Sequence, residues 1–263
     1  MNLRDFLTHD SLPTKAAFIG LSRTRDSGTG RLVIIAALLM LFTPFGSGAR
    51  GENEEASEIN DPAEILAWVR YSNAAQDNDL FGTLRNARGE RVRFRLTMKN
   101  SYLRFTFDEP LQIIQLNIED SSYLLREVVN GSTVEIPSAR YAEPIRGSDI
   151  LYEDLAMRFL YWPNPTLEGE QRVKTRKCWK LRIYNPIKLG PYHCVEIWVD
   201  QGSGGIMRMQ CYDYDGKMIK RCSVNSGHKL SSGVWVLKEM RVESYHPGEN
   251  TPYARSYLEI DKP

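Results

Sequence analysis

The sequence has no excess of either charge. Its 34 lysines and arginines are balanced by 33 aspartates and glutamates, which gives a formal net charge of +1 at pH 7. A protein whose main partner is nucleic acid needs a clear basic excess to neutralise phosphates, so this balance argues against such a partner. Apolar residues make up 42% of the chain and charged residues 25%, and these proportions exclude a disordered chain and a polytopic membrane protein.

The short motifs of common catalytic and metal sites are also absent. The chain contains no H-E-x-x-H, no G-x-S-x-G, no G-x-x-x-x-G-K and no C-x-x-C. Glu153 and Asp154 are adjacent acids, but neighbouring residues of a helix do not face one site. A place at the start of a helix, where the helix dipole favours acids, is the better interpretation. We therefore predict that the protein is not an enzyme and that it uses no metal and no cofactor.

The longest uncharged run lies close to the N-terminus. Leu32–Phe45 has 14 residues without a charge, small residues follow, and Arg50 restores polarity. A basic flank, an apolar run of this length and small residues at positions −3 and −1 are typical of a secretory signal peptide. We predict that residues 1–49 are such a signal, cleaved between Ala49 and Arg50. The alternative is an uncleaved anchor in the inner membrane over residues 32–49, because this stretch just meets the length needed to span a bilayer.

A polar linker and one helix follow the predicted signal. Residues 50–60 are acidic and polar, which predicts a flexible linker. Asp61 and Pro62 are a typical helix start, with aspartate as the N-cap and proline at the first helical position. The helical spacing of the next apolar residues predicts a face that packs on a core. A more specific interpretation is that this face also lines a ligand cavity. These residues are Ile65, Leu66, Trp68 and Val69.

Period-two alternation begins near Leu80 and predicts about eleven strands. Residues 91–98, 102–108 and 111–118 alternate apolar and polar side chains, and Asn130-Gly131 is a strong hairpin signal between two further strands. Residues 140–162 interrupt the strands, with a short helix predicted over residues 152–161. Six strands then follow, over residues 177–184, 192–200, 205–214, 217–225, 234–244 and 253–260.

Short connections between alternating strands predict one antiparallel sheet with one apolar face. A sheet of this size must curl, close or split. With two short helices available as cover, we predict a mainly β (α+β) fold over residues 61–263, a curved and incompletely closed antiparallel β-barrel with a helical lid. A fully packed barrel is the alternative, which periodicity alone does not separate from a hollow one.

The four cysteines lie on consecutive predicted strands. Turn positions place Cys178 opposite Cys194, Cys194 opposite Cys211, and Cys211 opposite Lys220 and diagonal to Cys222. An exported protein can form disulfides. A register error of one residue, however, would put a pair on opposite faces of the sheet. The sequence leaves the choice between one disulfide and free, half-buried thiols open.

One segment resembles a known family. Residues 146–155, RGSDILYEDL, are similar to the G-S-D-(hydrophobic)-x-Y-E-D-L motif of bacterial outer membrane lipoprotein-sorting proteins related to LolA. Residues 177–181, 195–200 and 207–209 also resemble strands of that family, and the resemblance spans residues 61–263. The motif residues are Gly147, Ser148, Asp149, Tyr152, Glu153, Asp154 and Leu155.

The resemblance implies a carrier. It implies an incomplete β-barrel with a helical lid, located in the periplasm, that binds the acyl chains of a lipoprotein or a lipid and moves them toward the outer membrane. A donor in the inner membrane and an acceptor in the outer membrane are its implied partners, and we expect a monomer. The alternative is a lipid-sensing or interaction module of the envelope that uses the same groove.

We predict that the apolar cavity is formed by the inner faces of the strands over residues 91–118, by one later strand and by the lid helices. The predicted lining residues are Trp68, Val92, Phe94, Leu96, Phe105, Phe107, Ile114, Leu116, Trp179, Leu181 and Ile183.

Overall fold

The computed structural model describes residues 61–74, 77–99, 101–119, 121–229 and 235–262. The predicted signal peptide, its cleavage between Ala49 and Arg50, and the predicted linker over residues 50–60 all lie outside these ranges. Among the described residues, no helix has the length and hydrophobicity that a membrane span requires.

Helix α1 (Pro62–Ala74) begins where the sequence predicts. The Asp61 carboxylate accepts a hydrogen bond from the backbone N–H of Ala63 at 2.9 Å, which satisfies one of the free donors of the first turn. Ile65, Leu66 and Val69 are buried, so the predicted apolar face packs on the core.

In the described part of the chain, thirteen strands form a single antiparallel sheet. They are β1 (Asp77–Arg85), β2 (Arg91–Lys99), β3 (Tyr102–Phe107), β4 (Gln112–Ile118), β5 (Tyr123–Val129), β6 (Ser132–Glu135), β7 (Thr166–Val173), β8 (Arg176–Tyr184), β9 (Cys194–Asp200), β10 (Ile206–Tyr212), β11 (Met218–Lys229), β12 (Trp235–Ser244) and β13 (Ala254–Ile260).

The strand order is β6-β5-β4-β3-β2-β1-β13-β12-β11-β10-β9-β8-β7, so the first and last strands of the described chain pair in the middle of the sheet. The edge strands β6 and β7 have one neighbour each among the described strands, and the curved sheet stays open. The predicted incomplete β-barrel is therefore confirmed. The predicted number of strands is two too low, because the sequence pattern does not predict β1 and β7. β7 is a mostly exposed edge strand, which lacks the apolar alternation that marks a half-buried strand.

Gly82 allows an aromatic cluster to form on the inner face, the face that carries the buried apolar residues. Gly82 of β1 is paired with Phe94 of β2. A Cβ atom on Gly82 would lie 2.5 Å from the Phe94 ring and 2.5 Å from the Glu259 carbonyl oxygen, which is too close for any other residue. The Phe94 ring lies against Phe105 and Phe107, with centroid distances of 6.0 and 5.9 Å.

The cysteine registers correct two predictions. Cys194 is paired with Tyr184 rather than with Cys178, because the β8–β9 loop is centred near residue 189. Cys194 is also paired with Tyr212 rather than with Cys211, because an irregularity between Ile206 and Arg208 shifts the register by one residue. The pairing of Cys211 with Lys220 is confirmed. All four cysteines are free thiols and buried.

Candidate functional site

The residues predicted to line the cavity lie together. Nine of the eleven, on β2, β3, β4 and β8, are buried in one hydrophobic cluster, and the other two, Trp68 and Val92, pack against it while partly exposed. The cluster thus joins strands from both halves of the open sheet. The Trp68 ring meets the Trp179 ring edge-on at 5.8 Å, so α1 packs on the β8 end of this surface. Whether these residues line a hollow that takes a ligand stays a prediction.

A lid segment, residues 136–165, connects the two edge strands β6 and β7. It contains helix α2 (Tyr152–Ala156) and a 3-10 helix (Arg158–Tyr161), which replace the one helix predicted over residues 152–161. The two are separated by Met157, whose φ of 47° lies in the left-handed region and ends α2. Most of the large apolar side chains of the lid segment are buried in the same cluster as those of the inner face.

Asp149 of the family motif fixes the lid segment to the middle of the sheet. Its carboxylate accepts hydrogen bonds from Ser244 Oγ of β12 at 2.7 Å and from Ser256 Oγ of β13 at 2.6 Å. The backbone N–H of Asp149 donates to Ser256 Oγ at 2.9 Å. Ser256 is fully buried, so these bonds satisfy polar groups that water does not reach.

Asp154 of the motif is the acceptor for a second buried cluster. Lys220 Nζ on β11 and the backbone N–H of Leu151 donate to its Oδ2 at 2.6 and 2.8 Å, and the Tyr192 hydroxyl donates to its Oδ1 at 2.6 Å. The Lys220 and Asp154 side chains are 5% and 1% exposed, so a charge pair lies inside an apolar core. Burial opposes the charged form of Lys220, but the Asp154 carboxylate outweighs it and raises the pKa of the lysine.

Sequence reasoning missed Lys220 and Tyr192, although one signal for Lys220 was available. Lys220 shares a face of β11 with Cys222 and Val224, which are buried. A lysine at an inward position of an alternating strand indicates a buried counter-charge, because an unpaired buried ammonium is very costly. Tyr192 lies in a loop before β9, and its sequence surroundings carry no comparable signal.

Glu153 and Asp154 lie in the first turn of α2, as predicted, and Glu153 also forms a buried ion pair. Its two carboxylate oxygens share a bifurcated hydrogen bond from Arg158 Nε, at 2.8 and 2.9 Å, and the carboxylate accepts a further hydrogen bond from Arg158 Nη2. Arg158 Nη2 also donates to the Leu189 carbonyl at 3.0 Å, which joins the lid segment to the β8–β9 loop. Burial raises the pKa of Glu153 even beside the arginine. Gly190 has a φ of +89°, and a Cβ there would meet this ion pair, so glycine is required.

Tyr152 connects the lid segment to the other side of the sheet. Its hydroxyl accepts a hydrogen bond from Gln112 of β4 at 2.9 Å and donates to Glu127 of β5 at 3.2 Å. Asp149 and Asp154 bind β11, β12 and β13, which are separated from β4 in the sheet by β3, β2 and β1. The family motif therefore fixes the lid segment across the inner face, at both sides of the apolar surface.

Helix α1 contacts the lid segment directly. Arg70 Nη1 donates to the Leu160 carbonyl at 2.5 Å, and its guanidinium carbon lies 5.4 Å from the centre of the Tyr161 ring. The apolar surface is thus covered by two elements, α1 and the lid segment, that also bind each other.

A separate cleft of about 300 Å³ opens on the outer face of β8, β9 and β10. Its lining includes three tyrosines, Tyr184, Tyr212 and Tyr214, together with His193 and Glu196. Glu196 accepts hydrogen bonds from Arg182 Nε at 3.0 Å and from the Tyr212 hydroxyl at 2.9 Å, so its carboxylate is already bound. Within the described ranges, no group of three or more histidines, cysteines or acids is placed to hold a metal ion.

Glu196 is expected to make the protein less stable in acid. Burial opposes its charge, but the bonds from Arg182 and Lys180 outweigh burial and lower its pKa below the ordinary 4.5. Its contribution to stability is therefore complete above that ordinary value and is lost as the pH falls through the lower, folded value. Urea unfolding between about pH 7 and pH 3 should show this loss of stability in the parent protein.

The variant Glu196→Gln should be less stable than the parent at neutral pH, and its stability should depend less on acid. Glu135→Gln, at an exposed position, is the control, and an unchanged acid response of Glu196→Gln would contradict the prediction.

Comparisons with known proteins agree with the fold. A family model described as "-like: Uncharacterized protein" matches residues 122–263. No curated protein matches the sequence. A putative outer membrane lipoprotein-sorting protein domain from Vibrio parahaemolyticus is 15% identical with a TM-score of 0.59, covering 76% of this chain and 90% of that one.

Two further solved structures are similar. A DUF1329 family protein from Desulfovibrio piger is 15% identical with a TM-score of 0.57, covering 77% of this chain and 92% of its own. A LolA superfamily protein from Nitrosomonas europaea is 14% identical with a TM-score of 0.54, covering 76% of this chain and 91% of its own. At these identities the likeness shows the fold.

Proposed function

The chain belongs to the family whose model matches residues 122–263 and has a LolA-like fold, and from this premise we propose that it is a non-enzymatic carrier in the periplasm. It binds the acyl chains of a lipoprotein or a lipid against the inner face of its sheet and carries them toward the outer membrane. A donor at the inner membrane and an acceptor at the outer membrane complete the transfer, which the protein makes as a monomer.

One observation supports this proposal above the others. An open thirteen-stranded sheet carries apolar side chains over its inner face, and this face is covered by separate elements rather than by a second sheet. An exposed acyl chain costs ~0.8 kcal/mol per methylene in water, so covering about 14 methylenes is worth roughly 11 kcal/mol before opposing terms. A large apolar surface of this kind needs a cover whenever no ligand is bound, because bare patches promote aggregation.

The lid segment is suited to exchange places with a ligand. Its apolar residues, among them Leu155, Leu160 and Trp162, fill the inner face, and its attachments to the sheet are hydrogen bonds and ion pairs. A ligand that offers equal apolar cover can displace these side chains without any covalent step. Transfer then requires an acceptor that covers the acyl chain better, and no nucleotide is needed.

A second candidate is a sensor or interaction module of the envelope that uses the same groove. The two functions are distinguished by a transfer assay. Donor vesicles that carry a fluorescent acyl probe are mixed with acceptor vesicles, and the rate at which the probe moves is measured with and without the purified protein. A carrier accelerates movement of the probe to the acceptor vesicles. A sensor binds the probe and leaves the rate of movement unchanged.

An acidic residue in the apolar surface should abolish acyl binding. Phe105 of β3 is 3% exposed on the inner face, and Thr106 follows it on the outer face. We expect Phe105→Asp, and likewise Leu96→Asp, to lose binding of a fluorescent fatty acid, because a carboxylate in this surface disfavours an acyl chain. Thr106→Asp adds the same charge to the same strand on the other face, and it should bind the probe like the parent. Circular dichroism checks that each variant is folded, and undiminished binding by a folded Phe105→Asp protein would contradict the site.

Retained ligand offers a test that needs no variant. Native mass spectrometry of the chain purified from the cell envelope should show an added mass that organic extraction removes and that fragments as a lipid. The same measurement reports the N-terminal residue and hence whether cleavage occurs between Ala49 and Arg50. Protein that never carries lipid, even after expression with excess lipid, would oppose the carrier function.

A further inference from the structure

The hydrogen bonds that the side chains of Asp149 and Asp154 in the lid segment make with the sheet and its loops are divided by chemical role. The sheet and its loops supply donors, namely Lys220 Nζ, the Tyr192 hydroxyl and the hydroxyls of Ser244 and Ser256. The lid segment supplies the carboxylates that accept them, Asp154 and Asp149. If the lid segment leaves, the inner face retains a row of donors that has lost its acceptors.

The loss of the acceptors is most unfavourable at Lys220, because its buried ammonium would be left without the Asp154 carboxylate. Among the described residues it is the only buried lysine, and its ammonium is 5.6 Å from the centre of the Tyr192 ring. Cys211 is its cross-strand neighbour, and Cys222 lies two residues further along β11, so neither neighbour can neutralise it as a carboxylate does. A buried ammonium without a counter-charge is strongly disfavoured. Any ligand that covers this surface in place of the lid segment therefore has to provide a negative group at this position.

We propose that the ligand is an anionic amphiphile whose head group replaces the Asp154 carboxylate against Lys220 and Tyr192 while its acyl chain covers the apolar inner face. This inference rests on the proposed function and narrows it to lipids with a carboxylate or phosphate head group. The motif aspartate then acts as an internal substitute for the head group when no ligand is bound. A neutral acyl ligand fills the same surface but leaves Lys220 unpaired.

A fluorescent long-chain fatty acid and its methyl ester form a matched pair of probes, because they differ in charge at the head group and share the acyl chain. We expect the protein to bind the acid about tenfold to a hundredfold more tightly than the ester at pH 7.5, as expected for one charge-assisted hydrogen bond to a buried ammonium. Equal affinity for the two probes would overturn the head-group assignment and leave the carrier function standing. Binding of neither probe would overturn both.

A paired substitution tests the assignment to Lys220. Lys220→Met with Asp154→Asn removes both charges together, so that no single charge is left buried. This variant should bind acid and ester with equal affinity, and it should bind the ester more tightly than the parent does, because no ammonium is left unpaired. A preference for the acid that persists in the folded double variant would show that another group recognises the head group.

Phosphate head groups are distinguished from carboxylates by competition. Lysophosphatidic acid and the unlabelled fatty acid should each displace the fluorescent acid from the parent protein, and their ratio reports which head group fits better. Inorganic phosphate alone should displace nothing, because it offers no acyl chain to cover the apolar surface. Displacement by inorganic phosphate would place the probe at a different site and overturn the inference.

Discussion

Replacing Lys220 by methionine should lower the free energy of unfolding by about 3–5 kcal/mol. Methionine has a similar volume and packs without difficulty, so the loss comes from Asp154, whose carboxylate stays buried without its ammonium partner. The Tyr192 hydroxyl and the Leu151 N–H still donate to Asp154, but neither carries a charge. Urea unfolding followed by tryptophan fluorescence measures the change.

The control is the double variant Lys220→Met with Asp154→Asn. It should recover most of the stability, because a neutral pair of similar size leaves no uncompensated charge in the core. A double-mutant cycle with Asp154→Asn alone isolates the coupling between the two residues. If Lys220→Met is as stable as the parent, the ion pair does not hold the lid segment, and the role proposed for Asp154 fails with it.

Replacing Phe94 by alanine should cost about 3–5 kcal/mol. The Phe94 ring is 1% exposed and fills the space above Gly82, where it also contacts Phe105 and Phe107. The substitution leaves a cavity that strand β1 cannot fill, since Gly82 has no side chain. Thermal and urea unfolding both report this loss.

Phe81 provides the matched control for Phe94. It lies on β1 next to Gly82 but on the outer face, and it is 52% exposed. Phe81→Ala should change the free energy of unfolding by no more than about 0.5 kcal/mol, because surface positions create no cavity. Similar losses at both positions would mean that the inner face of the sheet is not the packed side.

The faces of the strands could be read from the sequence because the side-chain period of a strand is two. Phe94, Leu96, Phe105 and Phe107 were assigned to the inner face on this basis, and all four are buried. The register between strands was less accessible. The irregularity between Ile206 and Arg208 shifts the register by one residue and places Cys194 opposite Tyr212. The residue types around this position do not predict the shift.

The motif shows the same difference between what the sequence predicts and what the tertiary structure decides. Its residues 147–155 were singled out by resemblance, yet the resemblance does not say which atoms they bind. Asp154 and Lys220 are 66 residues apart, and Asp149 and Ser256 are 107 apart. Contacts over such separations depend on how the lid segment crosses the sheet, which local sequence does not encode.

The sequence by itself determined that this protein is mainly β, that one face of its sheet is apolar and where its first helix begins. These properties follow from local periodicity and capping chemistry, which act within a few residues. The tertiary structure alone decided that a lysine lies buried on the inner face against an aspartate of the lid segment. That pairing depends on the free energy of burying two charges together, and this energy exists only once distant strands and the lid segment are packed around them.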